Sequence, residues 1–161
     1  MTQIRKLVLH IDDDSDFLKL AAYHLRKGGF EVIGVQDPNK AMEALLRSGA
    51  RVVLLDIDMP GKDGLTLLRD IKLRDSGIQV TMCTGMVSMQ TVLRSTSLGA
   101  EGLLFKPLSD PNKLSEAVSI SFRKIENWWK ALAEWKAINE SPRATFGTHS
   151  LETPQLAEHH S

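Results

Sequence analysis

The stretch "VVLLDIDMPGKDG", residues 52–64, decides how the rest of the chain is read. Four apolar residues, 52–55, run without alternation into Asp56. A second aspartate, Asp58, follows two places on, and then a loop of Met59, Pro60 and Gly61. An apolar run of this length, closed by turn residues, predicts a strand buried on both faces. Such a strand has little reason to end in two carboxylates unless they hold a cation, react, or form a polar turn. The stretch alone leaves those three options open.

Working outward, the same grammar repeats. Residues 6–11, KLVLHI, read as a first strand ending in Asp12, Asp13 and Asp14. Phe17, Leu20, Ala21, His24 and Leu25 then share a helical face that Gly28 and Gly29 close. Residues 30–35 read as a second strand. Asp37-Pro38 opens a helix with Ala41, Leu45 and Leu46 on its inner face, and Gly49 stops it. After residues 51–55 comes a helix over 64–74 with Leu65, Leu68, Ile71 and Lys72 at helical spacing. Strand four covers 78–83, a helix 88–98, and a short fifth strand 102–105. A long helix follows Asp110-Pro111. Five alternations of strand and helix predict an α/β fold, a doubly wound parallel sheet with helices on both faces.

In such sheets ligands bind beyond the carboxyl ends of the strands. Asp12 and Asp13, Asp56, Thr84 and Lys106 all stand at those ends and converge if strands one, three, four and five are neighbours. Several carboxylates at one point repel unless a cation sits among them, and an oxygen-only set favours Mg²⁺ over Ca²⁺. A lysine and a hydroxyl opposite would hold phosphoryl oxygens, and an aspartate held there can act as nucleophile.

Composition bounds the alternatives. The 161 residues carry 20 Lys plus Arg against 20 Asp plus Glu, a net charge of zero. That gives no electrostatic case for nucleic acid or an anionic membrane, and neither is expected as a partner. The single cysteine, Cys83, excludes an internal disulfide and reads as a buried core residue. His10, inside strand one, reads as a packed histidine. No apolar run suits a signal peptide or a membrane span, so a cytoplasmic protein is expected.

At this point the residues resemble a family, the receiver domain of two-component response regulators. Four motifs carry the resemblance across residues 4 to about 122: "LHIDDDSDFL", "VVLLDIDMPGKDG", "TMCTGM" and "GAEGLLFKP". The resemblance implies a flavodoxin-like (βα)5 fold and a phosphoryl group accepted on Asp56 from a histidine kinase or phosphotransfer protein. It implies Mg²⁺ held by Asp12, Asp13, Asp56 and the backbone carbonyl of Asp58. It makes Thr84 the switch hydroxyl and Lys106 the phosphate's partner, with Lys106-Pro107 often a cis peptide that aims the lysine. Such a module is a signalling domain with only slow self-phosphorylation and self-dephosphorylation, not a metabolic enzyme. It would signal by changing shape toward a downstream protein.

Two departures from the family pattern stand out. The position three before the lysine, often an aromatic that swings inward, is Leu103, so coupling from Thr84 to the output face is expected to differ. Asp58 is an uncommon acid at its place, able to affect the metal, a water, or the lifetime of the phosphate.

Two other readings compete. "LLDIDMPG" also resembles the D-x-D motif of haloacid-dehalogenase-type phosphohydrolases, with Asp56 as nucleophile and Asp58 as acid/base. That motif normally lies on the first strand, whereas here it lies on the third and leaves the strand-one acids without a role. A receiver-like module that is never phosphorylated would have degraded motifs, and these are intact.

The last helix should overrun a minimal receiver. From Asn112 to about Ile138 there is no proline or glycine. Leu114, Val118, Phe122 (or Ser121), Ile125, Trp129, Leu132 and Lys136 follow a spacing near 3.5, with Trp128 and Trp135 one heptad apart beside them. The expected organisation is a receiver over 1–122, a helix extension over 123–139, and a disordered tail over 140–161. The tryptophan-bearing extension is a candidate interface, for a homodimer or for a partner. The tail's His159 and His160 receive no chemistry. No second domain is read in these residues, so either output would pass through a partner or the long helix is the start of a linker.

Overall fold

The computed structural model describes residues 4–140. Strands β1 (Leu7–Ile11), β2 (Glu31–Val35), β3 (Val52–Asp56), β4 (Gln79–Thr84) and β5 (Gly102–Phe105) alternate with helices α1 (Ser15–Lys27), α2 (Ala41–Ser48), α3 (Gly64–Arg74), α4 (Met89–Ser97) and α5 (Asn112–Glu140). All strands are parallel, in the order β2-β1-β3-β4-β5. The chain therefore reverses its direction of winding between β1 and β3, and in sheets of this kind ligands bind beyond the carboxyl ends of the strands at such a point.

Two apolar layers cover the sheet. On one face Leu9, Ile11, Val53, Leu55, Val80 and Met82 meet Leu45 of α2 and Leu67, Leu68 and Ile71 of α3. On the other face Val8, Leu54 and Cys83 meet Phe17, Ala21 and Leu25 of α1 and Leu114, Val118, Phe122 and Ile125 of α5. Each leucine or valine fully removed from water here contributes about 1.5–3 kcal/mol. The central strands β1, β3 and β4 are buried at every position.

The edges depart from the expectation of strands covered on both sides. β2 is largely exposed, and β5 is only half covered. Two helix faces are also narrower than their spacing suggested. Leu20 of α1 and Leu46 of α2 face solvent, because the sheet covers only the central line of each helix.

Local chemistry sets the helix starts. Asp14 caps α1, accepting N–H bonds from Asp16 and Phe17 at 2.9 and 3.1 Å. Asp63 caps α3 in the same way through Leu65 and Thr66. Asp37 caps a single 3-10 turn, Pro38–Lys40, which leads into α2. At Gly64 the start of α3 crosses the end of β3 so closely that a Cβ would stand 2.0 Å from the Asp56 carbonyl oxygen. Only glycine fits there, and its N–H donates to the Ile57 carbonyl at 2.9 Å.

α5 is one uninterrupted helix of 29 residues. One face of its first half is buried, through Leu114, Val118, Ser121, Phe122 and Ile125. Lys124 pairs with Glu101, just ahead of β5, at 2.6 Å. Beyond that point every residue from 127 to 140 is exposed, Trp128, Trp129 and Trp135 among them. The expected tail from 141 onward, with His159 and His160, lies outside the described residues.

Candidate functional site

β1, β3, β4 and β5 are successive neighbours, so the side chains at their ends gather at one rim. Asp12 follows β1, Asp56 closes β3, Thr84 closes β4 and Lys106 follows β5. The Lys106 N–H donates to the Thr84 carbonyl at 2.8 Å, which extends the ladder past the end of β5 and fixes where the lysine departs. The Lys106-Pro107 peptide is cis.

Asp12 and Asp56 are both buried, and Asp13 is half-buried beside them. One carboxylate oxygen from each lies within 4.8 Å of the others, a grouping able to hold a metal ion. The donor set is all oxygen, which fits a hard divalent cation. Lys106 Nζ stands 2.5 Å from Asp12 Oδ2 and 3.6 Å from Asp56 Oδ2. It also lies over the ring of Phe17, 4.5 Å from the centroid. Asp12 Oδ1 accepts the Asp14 N–H at 2.9 Å, which ties the acid pair to the start of α1.

These contacts split the two buried acids. Burial, reinforced by the charge of Asp12, pushes the Asp56 carboxyl up to about 7, with Lys106 pulling the other way. Burial also works to raise Asp12, but its contacts with His10, Lys106 and the Asp14 N–H outweigh burial and hold it below the ordinary carboxylate value. The Lys106 ammonium loses by burial and gains more from Asp12 and Asp56, so it sits above the usual lysine value. One firmly ionised acid, one acid poised near neutrality and one cation thus share a small volume, a pattern typical of reactive sites.

Thr84 is fully buried. Its Oγ1 lies 3.2 Å from Asp58 Oδ2 and 3.0 Å from the Met86 carbonyl oxygen, and it accepts the Met86 N–H at 3.1 Å. Asp58 itself is exposed, and its carboxylate stays outside the acidic group. Leu103 is half-buried on β5, in register with Met82. The three tryptophans lie on the extension of α5, away from this rim.

Cys83 is buried among apolar neighbours, and burial pushes its thiol up to about 12, far from reactivity. His10 is packed edge-on against Phe17 with ring centroids 5.4 Å apart, and its Nε2 is 3.7 Å from Asp12 Oδ2. Sequence reasoning missed Phe17 as the floor under Lys106, and it missed the Asp58–Thr84 contact. It also missed Phe105, which is 47% exposed two residues beyond Leu103 on the same face of β5.

Comparison with known proteins agrees with this geometry. Residues 8–119 match the family described as the response regulator receiver domain. The DNA-binding response regulator MtrA of Mycolicibacterium smegmatis is 28% identical over 127 residues, 79% of this chain and 55% of that protein. The sensory transduction protein RegX3 of the same species is 32% identical over 120 residues, 74% of this chain and 52% of its own length. The chain thus spans about half the length of these curated relatives. The crystal structure of a CheY-like receiver domain protein from Methanospirillum hungatei superposes with a TM-score of 0.72 at 25% identity, over 77% of this chain and 98% of that one. These matches support a receiver and lend nothing to the phosphohydrolase alternative.

Proposed function

The chain belongs to the response regulator receiver family, the phosphoacceptor modules of two-component signalling, and from that premise we propose that Asp56 is its acceptor. The observation that carries this is the position of Asp56. It is a buried carboxylate near neutrality, 3.6 Å from Lys106 and grouped with Asp12 and Asp13.

In the proposed reaction an Asp56 oxygen attacks the phosphorus of the donor. A new O–P bond forms as the bond from phosphorus to the donor breaks. The electron pair of that bond leaves with the donor, a histidine imidazole that then takes a proton, or a carboxylate when the donor is an acyl phosphate. Asp56 attacks as the carboxylate, so its proton must leave first. Lys106, held at the rim by Asp12, is in position to pair with a phosphoryl oxygen once Asp56 carries the group. Thr84 supplies a hydroxyl donor from the neighbouring strand. Asp12, Asp13, Asp56 and the backbone carbonyl of Asp58 are the proposed ligands of Mg²⁺, which when bound supplies positive charge to offset the carboxylates and the incoming phosphoryl group.

The proposal extends to partners and organisation. Residues 1–122 form the receiver and 123–139 an extension of α5. The phosphoryl source is a histidine kinase or phosphotransfer protein. Turnover is limited to slow self-phosphorylation and self-dephosphorylation. The site of action is the cytoplasm, in keeping with the described helices, none of which is long and apolar enough to cross a membrane. Output passes to a downstream protein. Self-association is proposed through the extension, where the exposed Trp128, Leu132, Trp135 and Asn139 recur at alternating steps of four and three.

Intact-mass analysis after incubation with acetyl phosphate and Mg²⁺ tests the acceptor. One added phosphoryl group on wild type, absent from Asp56→Asn and absent without Mg²⁺, is the expected result. Equal gain on Asp56→Asn would refute the assignment.

A further inference from the structure

Asp58 is the acid that the rim leaves out. It lies two residues past the proposed acceptor, is exposed, and sends its Oδ2 to within 3.2 Å of Thr84 Oγ1. Thr84 is buried at the end of β4, and none of its side-chain hydrogen bonds reaches Asp56. All of them go to Asp58 or Met86.

A threonine hydroxyl owns a single proton. Two acceptors face it here, Asp58 Oδ2 and the Met86 carbonyl at 3.0 Å, while one of its two lone pairs accepts the Met86 N–H at 3.1 Å. The Met86 carbonyl is the nearer of the two, and the Asp58 carboxylate brings a negative charge to the competition. A hydroxyl bound in this way cannot also donate to a third oxygen.

We propose that Asp58 is a positioning residue for Thr84, a latch that engages the hydroxyl until a phosphoryl oxygen on Asp56 competes for it. The idea rests on Asp56 being the acceptor. Phosphorylation then requires the Thr84–Asp58 bond to break, and the phosphorylated state loses its hold on Thr84 each time the latch re-forms. The same hydroxyl oxygen accepts the Met86 N–H, so moving it toward a phosphoryl oxygen also frees the turn between β4 and α4. That turn exposes Met86 and Val87, with Met89 just inside α4. Asp58 would therefore set both the ease of loading and the threshold at which this apolar turn rearranges.

The test uses the full chain and four variants: Asp58→Ala, Asp58→Asn, Thr84→Val and the double variant Asp58→Ala/Thr84→Val. Asparagine keeps an acceptor oxygen without charge. The first readout is the rate of phosphorylation by acetyl phosphate with Mg²⁺, followed by intact mass. Asp58→Ala should load about fivefold faster, as expected for losing one competing charge-assisted bond. Asp58→Asn should stay nearer wild type, and Asp58→Ala should add nothing in the Thr84→Val background.

The second readout needs neither metal nor phosphate. Hydrogen exchange and the chemical shift of the Met86 amide, measured by NMR on the unmodified protein, should change in Asp58→Ala. An equal gain from Asp58→Ala and Asp58→Asn, or a gain of the same size in both threonine backgrounds, would show that Asp58 acts only through its charge and would overturn the latch. An unchanged Met86 amide would overturn it as well. If wild type takes no phosphoryl group, the acceptor assignment fails, while the Met86 amide still decides whether Asp58 holds Thr84.

Discussion

Lys106 Nζ and Asp12 Oδ2 meet at 2.5 Å across the carboxyl edge of the sheet, although 94 positions separate them in the chain. The pair is nearly shut off from water, and Asp56 lies within 3.6 Å of the same ammonium. The lysine is therefore a counter-charge to two buried acids before any phosphate arrives.

Lys106→Met should leave those acids facing one another. Removing one partner of a buried pair typically costs about 3 kcal/mol. The variant should therefore melt well below wild type in metal-free buffer at neutral pH. Mg²⁺ should restore more stability to the variant than it adds to wild type, because the ion then replaces the missing cation. Thermal melts with and without Mg²⁺ check both halves of the expectation.

Asp56 gives stability an unusual pH dependence. Its carboxyl sits near 7 in the folded chain against an ordinary value of 3.8. Between those values the folded state holds a proton that the unfolded chain has lost, so stability falls as pH rises through the window, and the full penalty is in force above 7. Asp56→Asn removes the penalty. Without divalent ions the variant should gain on the order of 2–4 kcal/mol at about pH 8 and nothing at about pH 4. Urea midpoints across that range would show the two curves converging at acid pH.

Gly64 tests the crossing of α3 over β3. A methyl group there would stand 2.0 Å from the Asp56 carbonyl oxygen and 2.7 Å from the Ile57 Cα, both of them backbone atoms. Gly64→Ala must push the loop after β3 outward. A loss of about 2 kcal/mol or more is expected, together with a fall in phosphorylation rate because Asp56 is carried by the displaced backbone. Urea denaturation and the acetyl-phosphate assay read the two effects.

The extension of α5 should behave as an interface rather than as part of the core. Trp128 and Trp135, of roughly 150–250 Å² each, flank Leu132 on one face and together supply about half of the roughly 800 Å² per partner of a standard interface. Replacing Trp128 and Trp135 by lysine should weaken self-association about tenfold or more, measured by sedimentation across a concentration series. The melting temperature at high dilution should not move, because both side chains are exposed in the single chain.

Much of this fold was legible because its signals are local. The apolar runs of β1 and β3, with acids at their ends, and the shorter one of β4, closed by Thr84 and Gly85, read as strands buried on both faces. The alternation with helical stripes then leaves few ways to connect them. The rim followed from topology, since whatever stands at the ends of neighbouring strands must meet. What escaped the sequence depends on which way side chains turn. Nothing in the spacing says that Asp58 points to Thr84 instead of the acid group, or that Phe17 slides beneath Lys106. Leu20 and Leu46 were misjudged for a related reason. Periodicity marks a stripe on a helix, but the width of the surface opposite decides how much of that stripe is covered.

The continuity of α5 has a mechanical consequence. Ile125 and the Lys124–Glu101 pair mark the last place where the helix is fastened to the domain. Past that fulcrum about 15 residues project, on the order of 22 Å at 1.5 Å per residue. No proline or glycine offers a hinge, and bending the rod would break its own backbone hydrogen bonds. A small tilt of α5 against the sheet therefore arrives at the tryptophans enlarged, as it does at the far end of an oar. A change confined to the rim of the sheet can in this way be read at a distance, by whatever grips the blade.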